Sequence, residues 1–157
     1  MYSKNDFEPD LKEFENLLAN SGAHTALGFL NRRTPHRFSG IYKFDEKILR
    51  NIMLYDSYYP AVFKGEDAPM VATYCSLVKT QQKLEIHDAP NDKRVNGKII
   101  TPVISYCGVL IKDDEGNPFG TLCHFDMKRC QERISDFSLM EEAGKLFFLN
   151  LKKDNQN

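Results

Sequence analysis

Cysteines, a scatter of histidines and one acid–arginine loop supply the groups in this chain able to do chemistry. Four cysteines occur in 157 residues, none in a C-x-x-C pair, so neither a local dithiol motif nor a zinc knuckle is written in the sequence. Cys75 sits in a helix-patterned run. Cys107 and Cys123 fall in two strand-patterned runs joined by a tight turn, which makes them neighbours in space. Thiol redox chemistry asks for a low-pKa thiolate with a resolving cysteine in disulfide reach. The plainer reading of Cys75, Cys107 and Cys123 is three small buried hydrophobes. Asp88 and Arg94 can pair across a polar loop and hold its shape. Alternatively, the planar fork of Arg94 can grip a carboxylate or phosphate. His24, His36, His87 and His124 show neither i, i+4 pairing nor an H-E-x-x-H pattern, so no metal site is expected.

These groups need elements to hold them. Glu8-Pro9-Asp10 reads as a helix entrance, followed by Leu11, Phe14, Leu17 and Leu18 at helical spacing. Ser21-Gly22 interrupts, and a second helix carries Ala23, Ala26, Leu27 and Leu30 until Thr34-Pro35. Arg37 to Phe44 alternates as a strand, with Phe38, Gly40, Tyr42 and Phe44 on one side. Asp45-Glu46-Lys47 turns into a second strand near Leu49 to Tyr55. Residues 56–65 hold three aromatics and Pro60, and read as an irregular lid or loop. Asp67-Ala68-Pro69 then opens a helix whose face is Val71, Tyr74, Cys75 and Val78. Leu84, Ile86 and Asp88 share one side of a short strand. Ile99 to Lys112 and Phe119 to Met127 form a hairpin around Asp113-Asp114-Glu115-Gly116-Asn117-Pro118, where Gly and Asn tolerate positive φ. A final helix spans about Ser135 to Lys153, capped by Ser135 or Asp136, with Lys152 and Lys153 at its negative end. It bears two apolar stripes: Leu139, Ala143, Leu146, Phe147, and Phe137, Met140, Phe148, Leu151. The second stripe calls for a partner, either a twin subunit or the N-terminal helix.

In order along the chain stand "MVATYCSLVKTQQKL", "EIHDAPNDKRV", "ISYCGVLI", the acidic turn and "GTLCHFD". This ordered combination, over roughly residues 23–151, resembles the GAF domain family, in which a variant of "D…D.R" follows the central helix and "GV.L….G..GTL…D" closes the sheet. The resemblance implies an α+β sandwich: a central antiparallel sheet of five or six strands, terminal helices on one face, and short helices and loops enclosing a cavity on the other. It also implies that Tyr74, Cys75 and the Asp88–Arg94 loop roof the cavity, while Tyr42, Tyr106 and Cys123 floor it. A small planar or heterocyclic ligand suits such aromatic and sulfur-lined walls. Three functions fit the resemblance. The first is a non-catalytic small-molecule sensor acting in signal transduction. The second is an interaction or dimerisation module whose pocket is filled by its own side chains. The third is an enzyme like the GAF-type free methionine sulfoxide reductases. That subfamily's cysteines lie in "VCG…" and "IACD…S.SE" contexts, both missing here, where the loop reads "HDAPNDKRVNG" and the strand "ISYCGV". Cys123-His124 is similar to the bilin-attaching dipeptide of phytochrome-type domains, but stands in the closing strand instead of a helix over the pocket.

Composition narrows the partners. The formal charge of -1 gives no electrostatic reason to expect nucleic acid or an anionic membrane, and the basic stretch Arg32, Arg33, His36, Arg37 reads as a solvated helix end. No run approaches the roughly 18 apolar residues that span a bilayer. The polar, acidic N-terminus is no secretory signal, and without a disulfide framework a reducing cytoplasm is the expected compartment. One domain is expected, with no cofactor beyond an unidentified small-molecule ligand, and with a homodimer through the terminal helices as its protein partner.

Overall fold

The structure, a computed structural model, describes residues 4–130 and 136–155. Two helices open the chain, α1 (Lys4–Ser21) and α2 (Ala23–Asn31). The break between them is Gly22, whose φ of 96° ends one helix and re-aims the next. α1 begins earlier than the expected Pro9 entrance. Pro9 lies inside it, where it forfeits one intrahelical hydrogen bond. Six strands follow: β1 (Phe38–Asp45), β2 (Ile48–Asp56), β3 (Ala68–Pro69), β4 (Lys83–Ile86), β5 (Ser105–Lys112) and β6 (Pro118–Asp126). They form one antiparallel sheet in the order β3-β2-β1-β6-β5-β4. Helix α3 (Cys75–Gln81) precedes β4, and α4 (Phe137–Asn155) closes the chain.

The β5–β6 turn is built as its composition predicts. Asp113 Oδ1 accepts from the backbone N–H of Glu115 and of Asn117, each at 2.9 Å, while Gly116 takes a φ of 82°. The register that results sets Cys107 opposite His124 and Gly108 opposite Cys123. Because strand side chains alternate between faces, Cys107 and His124 point one way, and Gly108 and Cys123 the other.

One face carries the main core. Ile41, Cys107, Val109, Ile111 and Leu122 meet Phe14 of α1, Ala26, Leu27 and Leu30 of α2, and Leu139, Met140, Ala143 and Phe147 of α4. Both stripes of α4 find cover here. Met140 packs on Cys107 (3.8 Å between sulfurs), Phe147 meets Phe14 edge-on at 5.1 Å, and Phe148 meets Phe119 at 5.0 Å. The N-terminal helix thus meets the first stripe at Phe147, while Met140 and Phe148 of the second stripe meet the sheet. Asp136 precedes α4, its carbonyl accepting from Met140 N–H at 3.1 Å; Ser135, the alternative cap, lies outside the described residues.

A buried polar spine crosses the same face. Asn31 Nδ2 donates to Ser39 Oγ at 2.9 Å, and Ser39 Oγ lies 2.5 Å from His124 Nδ1. His36 stacks near His124, ring centroids 6.2 Å apart. Burial holds both imidazoles below the usual range, His36 to about 4 and His124 to about 3.

The opposite face is covered more thinly, and the sequence expectation errs there twice. No helix opens at Asp67. Ala68 and Pro69 instead pair with Leu49 and Ile48, residues 70–72 make one 3-10 turn, and α3 starts only at Cys75. Pro69 and Thr73 are both extended, which excludes a continuous helix through them, and Val71 is 80% exposed instead of buried. The strand expected from Ile99 begins at Ser105; Pro102 within that stretch has no N–H to give a ladder. Residues 57–65 are irregular, as expected, but they pack on the helical face. His24 Nε2 reaches Leu54 O and Val62 O at 2.9 and 3.0 Å, and its ring lies 4.0 Å from Phe63. No described helix is long and apolar enough to cross a membrane.

Candidate functional site

Two tyrosines lie flat on the thinly covered face because each leans over a glycine two residues before or after it. A Cβ at Gly40 would stand 2.6 Å from Tyr42 Cε2, and one at Gly108 would stand 2.7 Å from Tyr106 Cε1. Only glycine leaves those paths open. Residues i and i+2 of a strand share a face, so "SGIY" and "YCG" each build one half of a flat aromatic floor. Cys123, across from Gly108, and Thr121, across from Tyr42, complete it.

Above this floor the turn at 70–72, the start of α3 and residues 100–103 form a roof. The Tyr74 hydroxyl donates to Val103 O at 3.4 Å, and its ring meets that of Tyr106 at 5.6 Å. Between floor and roof lies a cavity of about 340 Å³. Tyr42, Tyr74, Cys75, Tyr106 and Cys123, all singled out from the sequence, line it together with Leu49, Val103 and Phe125. Glu66 and Asp67 stand among its lining, and among the described residues no lysine or arginine does. Asp67 is already engaged: its Oδ1 accepts from Asn51 N–H at 2.8 Å and its Oδ2 from Arg50 at 3.1 Å, contacts that hold its carboxyl below the ordinary value.

Cys75 is the most heavily hydrogen-bonded thiol. Its Sγ lies 3.1 Å from Tyr106 Oη and 3.2 Å from Thr121 Oγ1. Burial pushes the Cys75 thiol up, but hydrogen bonds from Cys123, Thr121 and Tyr106 outweigh it and bring the pKa below the ordinary cysteine value. Cys123 moves the other way, raised first by burial and then by donating to Cys75. Burial likewise raises the phenols of Tyr42 and Tyr106 well above their usual value, so both are neutral donors at physiological pH.

Cys107 does not converge with these two and is the small buried hydrophobe of the plainer reading. Adjacent strands bring it close along the ladder, but it faces the helices against Met140, and burial raises its thiol well above the ordinary value. The Asp88–Arg94 pair does not form either. Asp88 accepts from Asn91 Nδ2 at 2.8 Å. Arg94 turns to Asp92, nearer in sequence, at 2.6 Å, and donates to Glu85 O at 2.7 Å. Both residues lie off the cavity lining, Arg94 opening instead onto a surface recess with Glu85, His87 and Phe137. An anion in the cavity therefore has no arginine to anchor it.

Several lining residues escaped the sequence reading. Phe125 shares a face with Cys123 by simple alternation, so that signal was available. Leu49, Glu66 and Val103 carried none, because the pairing of β3 and the path of residues 99–104 are tertiary outcomes. Among the described residues no group of three or more His, Cys, Asp or Glu side chains is placed to hold a metal.

No protein-family model matches the chain, and neither does any curated protein sequence. Solved structures do match. A putative GAF sensor protein from Burkholderia vietnamiensis is 16% identical with a TM-score of 0.69, covering 99% of both chains. The GAF domain of the Acinetobacter phosphoenolpyruvate-protein phosphotransferase is 12% identical, with a TM-score of 0.69 and 94% of each chain covered. The free methionine-R-sulfoxide reductase from Neisseria meningitidis, solved with its substrate, is 14% identical with a TM-score of 0.68, covering 93% of this chain and 88% of the other. Identities this low establish architecture alone, and on that architecture the protein has the fold of a GAF domain.

Proposed function

We propose that the protein is a non-catalytic small-molecule-binding module whose ligand occupies the cavity between the sheet and α3. The observation that carries this reading is the open volume of about 340 Å³ over a floor of Tyr42, Tyr106 and Cys123. A module with a plugged pocket would fill that space with its own side chains. The volume stands at the lower end of ligand pockets, roughly 300–1,000 Å³, so the ligand is small. Flat tyrosine faces favour a planar ring. A lining that holds Glu66 and Asp67 but, among the described residues, no basic side chain favours a neutral or cationic heterocycle over a phosphate or carboxylate, since a buried anion needs a paired cation.

Native mass spectrometry of the purified protein, followed by a denaturing spectrum, tests the reading. The expected result is a mass excess lost on denaturation, absent from Ala72→Trp, which places bulk in the cavity lining. A bare native mass, with no thermal shift from neutral or cationic heterocycles, would overturn it.

A further inference from the structure

Cys75 is arranged unlike a cysteine that only fills space. Tyr106 Oη and Thr121 Oγ1 both lie within hydrogen-bond distance of its sulfur, at 3.1 and 3.2 Å, and two hydroxyls so placed can donate to a thiolate. Cys107, equally buried, packs in the helical-face core with its thiol 3.8 Å from the Met140 thioether. Cys75 and Cys123 also line the cavity, so both border the space that a small molecule would enter. One rides on the roof helix and the other on the floor strand.

We propose that Cys75 and Cys123 form a peroxide-reactive thiol pair, with Cys75 as the nucleophile and Cys123 as the resolving thiol. The Cys75 sulfur attacks one oxygen of hydrogen peroxide. An S–O bond forms as the O–O bond breaks, and the departing oxygen leaves as water with the proton that Cys75 gave up. The Cys123 sulfur then attacks the Cys75 sulfenic sulfur. The S–S bond forms, the S–O bond breaks, and the hydroxyl leaves as a second water with the Cys123 proton. Two thiols lose two electrons and one peroxide gains them. The assignment of roles follows from the contacts of each sulfur: Tyr106 Oη and Thr121 Oγ1 stand 3.1 and 3.2 Å from Cys75 Sγ, two hydroxyls able to donate to a thiolate there. The disulfide ties α3 to β6 across the cavity.

The experiment is peroxide treatment of the reduced full chain under native conditions, then alkylation, non-reducing digestion and peptide mass mapping. The expected result is one cross-linked peptide pair, Cys75 with Cys123, lighter by two hydrogens, while Cys107 and Cys130 remain alkylatable. Cys123→Ser should instead accumulate a Cys75 sulfenic acid that dimedone traps. Should that variant not fold, the wild-type map and the order of thiol loss decide alone, with Cys75 consumed at least about ten times faster than Cys107. Four intact thiols after peroxide, or first oxidation at Cys107 or Cys130, would overturn the proposal. The readout involves no organic ligand, so it stands or falls apart from the binding reading.

Discussion

Acidification from pH 7 to pH 4 should destabilise this protein by about 4 kcal/mol, and the buried histidine pair sets the sign. His36 and His124 take protons at about 4 and about 3 when folded, against 6.5 for an unperturbed imidazole. Burial excludes the charged form of each, and for His124 the neighbouring His36 adds repulsion. Below pH 6.5 the unfolded chain binds two protons that the folded chain refuses, so stability is complete above that pH and is lost as pH falls. At about 1.4 kcal/mol per pH unit per group, the pair loses about 7 kcal/mol by pH 4. Asp136 opposes this. Burial raises its carboxyl from 3.8 to about 6, so the folded state takes a proton that the unfolded state does not, and about 3 kcal/mol returns over the same range. Asp56, Asp67 and Asp92 sit below 3.8 in the fold, so their stability is lost only under more acid conditions. The net slope between pH 6 and pH 4 is one proton. Urea unfolding followed by circular dichroism at half-unit pH steps measures it, and the same loss corresponds to a Tm lower by about 8–16 °C. His124→Gln should flatten the profile between pH 6 and pH 4, since His36 and Asp136 then cancel. A midpoint unchanged or raised at pH 4 in the wild type would refute the reasoning.

The remaining predictions concern the two faces of the sheet. Gly108→Ala drives a methyl into the Tyr106 ring, 2.7 Å from its Cε1. Overpacking of this kind costs about 1–3 kcal/mol, and the displaced phenol should leave Cys75, read as slower alkylation of that thiol in the variant. Phe14→Ala removes a fully buried ring from between α1 and α4. It should cost about 3–5 kcal/mol by urea unfolding while leaving Cys75 alkylation unchanged.

Much of this architecture was legible because the informative residues are local. Gly22, Glu46 and Gly116 mark breaks and turns by backbone conformation alone, and the alternation of β1, β5 and β6 follows from a period of two. The cavity floor was legible only through the resemblance to GAF domains, which implied Tyr42, Tyr106 and Cys123 there; alternation by itself fixes which residues share a face, not which face bears a cavity. What failed depends on chain path. Pro69 looked like a helix start because proline suits that position, yet Ala68 and Pro69 found edge pairing with β2. Arg94 looked like a cavity anchor, but Asp92 stands two residues away and captures it. The stacking of His36 on His124, 88 positions apart in sequence, left no periodic trace at all.

The sheet separates two kinds of burial, and that separation lets one fold hold both a stable core and a reactive cavity. On the helical face three helices seal thirteen buried residues with aliphatic, aromatic and thioether contacts. On the other face a seven-residue helix and an irregular segment span the floor, leaving volume that the side chains do not fill. A cavity in a core normally costs stability through lost contacts. Here the cost falls on the roof, while the polar spine and α1–α4 packing stand across the sheet from it. Substitutions on opposite faces share no partners and should add in free energy. The Gly108→Ala and Phe14→Ala double variant is the direct measure of that independence, for a coupling beyond about 0.5 kcal/mol would mean that the cavity and the core are one unit.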